Sequence, residues 1–199
     1  PQPGRALLTQ GGVHMKGTVP EEKENPALHL YLWLQALVTA LVSITLIFTF
    51  VGRITPVDGT SMEPTLRNGD LMLIQTIGYT PKQGDVVVLT KAFDAADGPI
   101  VKRVVATGGQ SVYINYLAGT ITVDGAVLEE PYLKEDMAAP DYAHITTVTV
   151  PEGAIFVMGD NRNHSSDSRH VTLGPVDSRY VIGGARFVFF PFQDVGTIC

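Results

Sequence analysis

The sequence has almost no cysteine: among its 199 residues only Cys199, the last, carries a thiol. A disulfide within these residues is excluded, so cysteine usage says nothing about compartment. Basic charge is also scarce. Lys and Arg number 14 against 20 Asp and Glu, for a net charge of −6. That balance argues against nucleic acid as a main partner, because phosphate binding needs a basic surface. The 5 histidines show no HExxH or comparable ligand spacing, and neither a metal nor a cofactor is expected. The G-x-S-x-G elbow of one large hydrolase class is missing. There is no internal repeat and no low-complexity stretch. Beyond residue 52 no helical pattern of convincing length appears.

One long apolar run is present. Leu28 to Val51 is 24 residues without Asp, Glu, Lys or Arg; His29 and Gln35 are its most polar members, and both lie near one end. As a helix it spans ~36 Å at ~1.5 Å per residue, enough for a ~30 Å hydrocarbon core. Tyr31 and Trp33 stand at the entry, where aromatic residues favour the membrane interface. A buried core helix of this character would need protein on all sides, more than a chain of this size offers. A cleaved signal peptide has a shorter apolar region and a small-x-small cleavage site, and no such site follows here. Residues 28–52 therefore read as an uncleaved transmembrane helix, with the lipid bilayer as a partner. Lys16 and Lys23 on one side balance Arg53 and Arg67 on the other, so charge does not set its orientation. Residues 1–27 are polar and rich in Gly, Pro and Glu, and disorder is expected there. Met15-Lys16-Gly17-Thr18 makes a plausible beginning, which would leave residues 1–14 extraneous.

After Gly52 the pattern changes to strands and turns. Leu71–Thr76, Asp85–Thr90, Ile100–Thr107 and Ser111–Asn115 read as strands bounded by Gly, Pro and Asn turns. Thr120–Val123 and Ala126–Leu128 flank Asp124-Gly125, a two-residue hairpin signal. Ile145–Val150 and Ala154–Met158 flank Pro151-Glu152-Gly153, and Val181–Phe190 is the last strand, bent at Gly183-Gly184. The expected fold is an all-β domain over 53–199, a barrel or sandwich, preceded by the single helix. Phe187, Phe189, Phe190 and Phe192 read as the closing core strand, with a bilayer-dipping surface as the alternative.

Three stretches carry chemistry. In Val57-Asp58-Gly59-Thr60-Ser61-Met62-Glu63-Pro64-Thr65-Leu66, glycine permits a tight turn and proline fixes the chain beyond Ser61. Such a loop presents a hydroxyl and its backbone N–H together, although a lone serine in a turn is usually only that. In Ile100-Val101-Lys102-Arg103-Val104-Val105, strand alternation puts Lys102 on the face of Ile100 and Val104. If that face is buried, desolvation disfavours the ammonium and makes Lys102 a base able to take a proton from serine; an exposed edge lysine is the plainer alternative. The third stretch, Gly159 to Arg169, is dense in acids, arginines and hydroxyls. It is not a calcium loop, since Ser165 and Val171 stand where glycine and glutamate are needed.

Taken together these stretches resemble the bacterial type I signal peptidase (leader peptidase) family. Ser61-Met62-x-Pro64-Thr65-Leu66 is similar to its nucleophile box, Gly69-Asp70 and Gly84-Asp85-Val86-Val87 to the strand boxes that follow, Lys102-Arg103-Val104 to the base box, and Gly159-Asp160-Asn161-Arg162 with Ser165 and Asp167-Ser168-Arg169 to the last box. The resemblance covers roughly residues 30–190. It implies a membrane-anchored serine endopeptidase in which Ser61 is the nucleophile and Lys102 the general base. Ser165 is then the hydroxyl that orients the lysine, and Asp160, Asp167, Arg169 and Arg103 are the supporting charges. The implied substrates are secretory preproteins cut after small-x-small motifs, bound extended, with Val57, Gly59, Met62, Leu66, Ile100 and Val101 lining the pockets by position. The catalytic domain would lie outside the cytoplasm, since the substrates are translocated. Some family members carry a serine hydroxyl donor two residues before the nucleophile. Here that position is Gly59, so the oxyanion hole must rely on backbone N–H groups, that of Ser61 among them. The glycine, the single helix and a reduced β insertion at about 108–150 resemble the shorter Gram-positive enzymes.

Three other readings fit some of the same residues. Another serine–lysine enzyme is one, but the self-cleaving repressors of this general fold are cytosolic and lack an anchor. A Ser–His hydrolase using His164 or His170 is another. An anchored extracytoplasmic β-domain that binds partners without catalysis is a third, though it would not require Lys102 and Ser165 alongside Ser61. No feature of the sequence indicates an oligomeric state.

Overall fold

The computed structural model describes residues 26–50, 52–90 and 98–198. The expectations for the first 25 residues, including a start at Met15, lie outside them. The apolar run forms α1 (Pro26–Phe50), 25 residues that are long and apolar enough to cross a membrane.

The remainder is all-β. Its strands are β1 (Gly52–Pro56), β2 (Leu71–Gln75), β3 (Val86–Leu89), β4 (Ile100–Thr107), β5 (Ser111–Asn115), β6 (Thr120–Val123), β7 (Ala126–Val127), β8 (Thr147–Thr149), β9 (Ala154–Met158), β10 (Val176–Asp177), β11 (Val181–Phe190) and β12 (Gly196–Thr197). The larger sheet runs β1-β2-β11-β3-β4-β9-β10, with β12 paired to β11. The smaller runs β7-β6-β5-β8 and occupies the segment between β4 and β9. All its pairings, like those of the larger sheet, are antiparallel.

The Val86-Val87-Val88-Leu89 run is buried throughout because β3 is covered on both faces. Val86 and Val88 pack with Met62, Leu66, Met72, Ile74, Val101 and Val188, whereas Val87 and Leu89 pack with Val104, Ile155, Val157 and Val176. A third cluster joins the sheets, placing Val105, Phe156 and Met158 against Val112, Ile114, Ile121 and Val123. The turn between β6 and β7 has Asp124 at φ 50° and Gly125 at φ 84°, two successive left-handed residues of the kind a tight hairpin needs.

The aromatic run departs from a plain core strand. Val188 is buried and Phe187 and Phe189 are half-buried, but Phe190 is 46% and Phe192 86% exposed. The register of β11 on β2 shifts between Val188 and Phe190, which breaks the alternation that would have carried every second phenylalanine inward. The exposed rings meet edge to face, 6.0 Å between centroids.

Strands β2 and β11 approach closely at Gly183, where a Cβ would run into the Gln75 carbonyl and the Ile74 side chain. Gly183→Ala is expected to cost about 1–3 kcal/mol through this overpacking. It should lower the thermal unfolding midpoint in detergent; an unchanged midpoint would show that the strands part there freely.

Candidate active site

The segment between β1 and β2 folds back on itself. Val57 N–H donates to Asp70 O at 2.8 Å and Gly69 N–H to Val57 O at 2.9 Å, while Leu66 N–H closes a turn onto Met62 O at 2.9 Å. The buried Asp70 carboxylate accepts Arg67 N–H at 2.8 Å. Met62 and Leu66 plug this loop into the core beneath it. Gly59 takes φ +94°, which a side-chain-bearing residue rarely adopts, and its N–H donates to Asn68 Oδ1 at 2.9 Å. Ser61 is left half-buried at the surface of the loop.

Lys102 sits inside β4, directly across from Val87 on β3. Alternation sends Ile100 and Val104 into one apolar cluster and Val101 into another. Lys102 itself is 4% exposed. Its Nζ lies 2.7 Å from Ser61 Oγ. Burial lowers its pKa to about 8, because the charged form loses its hydration. The charge of Asp167 pulls it upward, that of Arg169 downward and that of Asp160 upward, all more weakly than burial.

Both of those carboxylates are already held by arginines. Arg103 forks onto Asp160, with Nε to Oδ1 and Nη2 to Oδ2 both at 2.8 Å. Arg169 forks onto Asp167, with Nε to Oδ1 at 2.8 Å and Nη2 to Oδ2 at 2.9 Å. Asp167 also accepts the Ser165 hydroxyl at 2.7 Å and Gly159 N–H at 3.0 Å. Burial alone would raise its pKa, but the Arg169 charge and these hydrogen bonds hold it below the ordinary range. Asp160 accepts the Thr65 hydroxyl at 2.5 Å, which ties the loop of Ser61 to the segment that follows β9.

The residues singled out in the sequence are thus brought together unevenly. Ser61 and Lys102 are in hydrogen-bond contact, and Arg103, Asp160, Asp167 and Arg169 form two buried ion pairs around them. Ser165 is buried beside them, but its hydroxyl points to Asp167, and no Ser165–Lys102 hydrogen bond occurs among the described residues. Gly159 leaves the gap in which Ser165 Oγ and Ser61 O both sit, and a Cβ there would strike both. Of the expected pocket residues, Val57, Met62, Leu66 and Val101 stand in the core, while Gly59 is exposed and Ile100 partly so. His164 is exposed and His170 Nδ1 lies 2.7 Å from the Thr172 hydroxyl; neither bonds to Ser61 among the described residues.

Sequence reasoning missed a second layer. Glu130 and Arg162 form a buried ion pair, and the Tyr132 ring lies 3.9 Å from the Arg103 guanidinium. Asn163 donates to Asp136 O at 3.0 Å and accepts Ala138 N–H at 2.9 Å, and Lys134 reaches Glu63 at 2.7 Å. This irregular strap after β7 has no periodicity to announce it, so only the position of Arg162 and Asn163 inside the last box could have pointed here.

An apolar helix followed by an all-β domain with a buried lysine set on a half-buried serine defines the general class. The family model described as signal peptidase, peptidase S26 matches residues 30–190. The chain is 36% identical over 184 residues to a signal peptidase I of Bacillus licheniformis, covering 88% of this chain and 96% of the relative. It is 37% identical over 172 residues to a probable signal peptidase I-1 of Synechocystis sp., covering 81% and 83%, and 32% identical over 190 residues to signal peptidase I T of Bacillus subtilis, covering 90% and 96%. A crystal structure of a signal peptidase I from Enterococcus faecalis matches 53% of this chain and 96% of that one, at 28% identity and a TM-score of 0.43. The chain belongs to the signal peptidase family, peptidase S26.

Removing the Asp160 carboxylate takes from Arg103, which is 1% exposed, both bonds of its fork. Asp160→Ala is expected to destabilise the protein by about 3–5 kcal/mol, read as a lower denaturant midpoint; a shift under about 1 kcal/mol would mean that solvent reaches the guanidinium.

Proposed function

We propose that this chain is a membrane-anchored serine endopeptidase that removes signal peptides from secreted preproteins, with Ser61 as nucleophile and Lys102 as general base. The observation that carries the reading is the 2.7 Å approach of Lys102 Nζ to Ser61 Oγ, with the lysine buried and the serine half-open. Membership of the signal peptidase family, and relatives named signal peptidase I, support the substrate class.

Neutral Lys102 accepts the Ser61 hydroxyl proton as Oγ attacks the scissile carbonyl carbon. The negative charge that develops on the carbonyl oxygen is met by the Ser61 N–H. Lys102 then passes its proton to the leaving amine, the C–N bond breaks, and the mature chain departs from an ester on Ser61. Lys102 next takes a proton from water, which attacks that ester, and returns it to Ser61 Oγ. Ser165, Asp167 and Arg169 hold the floor under the lysine, and Asp160 with Arg103 fixes the loop through Thr65. Gly59 and Ile100 keep open surface beside the dyad, and with Val57, Met62, Leu66 and Val101 behind them they form shallow apolar ground for small side chains before the cut, matching small-x-small motifs. The helix α1 is the anchor, and the β-domain acts outside the cytoplasm, where translocated preproteins are reached. A partner-binding domain without catalysis has no use for a buried lysine on a serine hydroxyl.

Preprotein cleavage in detergent tests the reading. Ser61→Ala and Lys102→Ala should each lower kcat by roughly 10⁴-fold or more, and full activity in either variant would sink the dyad. Only the neutral amine can accept the proton. The wild-type rate should therefore climb about tenfold per pH unit below the Lys102 pKa of about 8 and level off above it. A profile flat from pH 5 to 9 would count against the lysine base.

A further inference from the structure

Asn161 grips both peptide units that flank Ser61. Its backbone N–H donates to Ser61 O at 3.0 Å, and its side-chain Nδ2 donates to Thr60 O at 3.1 Å. A carbonyl cannot donate, so the side-chain amide has one workable orientation, with Nδ2 toward Thr60. The opposite atom, Oδ1, is buried and has no hydrogen-bond partner among the described residues. Leaving a buried acceptor unpaired is unfavourable, so the donor contact to Thr60 is kept at a cost to the fold.

The Thr60 carbonyl and the Ser61 N–H belong to one peptide unit. It is trans, the cis bonds among the described residues being Glu63-Pro64 and Phe190-Pro191. In a planar trans unit the C=O and N–H point in opposite directions. Holding Thr60 O against Asn161 therefore turns the Ser61 N–H away from the last box. That N–H makes no hydrogen bond among the described residues, whereas the nearby Gly59 N–H is already taken by Asn68 Oδ1. The loop thus offers one of these two donors and withholds the other.

We infer that Asn161 is a positioning residue for the oxyanion hole: through Thr60 O it fixes the plane of the Thr60–Ser61 peptide and so aims the Ser61 N–H at the developing negative charge. This deepens the proposed function and rests on Ser61 as its nucleophile. Asn161 itself touches no reacting atom.

The test uses the full chain in detergent with Asn161→Asp, Asn161→Ala and, as a control, Ser61→Ala. Asn161→Asp keeps the shape and the backbone N–H but sets an acceptor against Thr60 O. The probes are a cleavable signal-peptide substrate, a substrate-like peptide aldehyde that adds to Ser61 and places an oxyanion in the hole, and the matching peptide alcohol, which cannot. For both Asn161 variants kcat should fall about 10²-fold while KM changes by less than about threefold. Aldehyde affinity should fall in step with kcat, alcohol affinity should hold, and the midpoint of the pH–rate profile should stay where wild type has it. The inference is overturned if Asn161→Asp keeps kcat within about threefold of wild type, or if it weakens aldehyde and alcohol alike, as a general loss of structure would. If Asn161→Ala does not fold, Asn161→Asp decides alone. Full activity in Ser61→Ala would remove the dyad reading itself. An inactive Ser61→Ala beside active Asn161 variants would remove only this inference.

Discussion

Lys102 stands in an eight-residue strand whose other buried positions are three valines, one alanine and Arg103, and no carboxylate forms a salt bridge with it among the described residues. Burial there favours the neutral amine over the ammonium, since burying an unpaired charge is far more costly than burying the neutral base, and it brings the pKa down to about 8. The charges of Asp167 and Asp160 pull its pKa upward, but neither carboxylate pairs with it among the described residues. Each is instead closed by a two-pronged arginine, Asp160 by Arg103 and Asp167 by Arg169. Such forks satisfy both carboxylate oxygens, and at Lys102 desolvation outweighs the pull of the two acids, with the Arg169 charge also opposing it. In the proposed mechanism this leaves Lys102 in its neutral, proton-accepting form at a lower pH than an ordinary lysine.

The same pairs also hold the geometry. A buried ion pair adds little net stability, because desolvation consumes most of the attraction, but breaking it strands a charge. That asymmetry suits a site that must not drift. Asp160 ties Arg103 on β4 to Thr65 on the serine loop, and Asp167 gathers Ser165, Gly159 and Arg169 from the segment that follows β9. The serine loop is consequently anchored at its base by Met62 and Leu66 in the core and at its rim by polar contacts to the segment after β9.

How much of this could be read from residues alone depends on range. The apolar helix, the strand expected at Asp85–Thr90 and the Asp124-Gly125 hairpin rest on local pattern, and they form over Pro26–Phe50, Val86–Leu89 and the β6–β7 turn. The strands that pattern did not show are β1, which contains Arg53 and Pro56, and the two-residue β10 and β12, which exist only because a neighbour supplies their hydrogen bonds. The strand expected at Ile145–Val150 is shortened to Thr147–Thr149, where β5 offers partners. At the site, residue types were legible and pairings were not. That Ser165 would point to Asp167, or that Glu130 would close Arg162 from 32 positions away, depends on how the strap after β7 lies, and nothing periodic marks it.

Gly59 shows how one backbone choice excludes another. A hydroxyl donor at this position needs a side chain, and there is open space for one: no atom lies within 4 Å of where a Cβ would stand. The obstacle is the backbone, because φ +94° is strained for any residue but glycine. That same turn delivers the Gly59 N–H to Asn68, which pins the start of the loop and removes this amide from the set of free donors. The chain therefore exchanges a side-chain donor for a rigid loop, and in the proposed mechanism the stabilisation of negative charge falls to the Ser61 amide. An amide is held less freely than a hydroxyl, which can rotate to suit its acceptor, so its direction must be built in beforehand. Two asparagines, Asn68 and Asn161, hold the Gly59–Ser61 turn from either end, and under the proposed function they supply that direction.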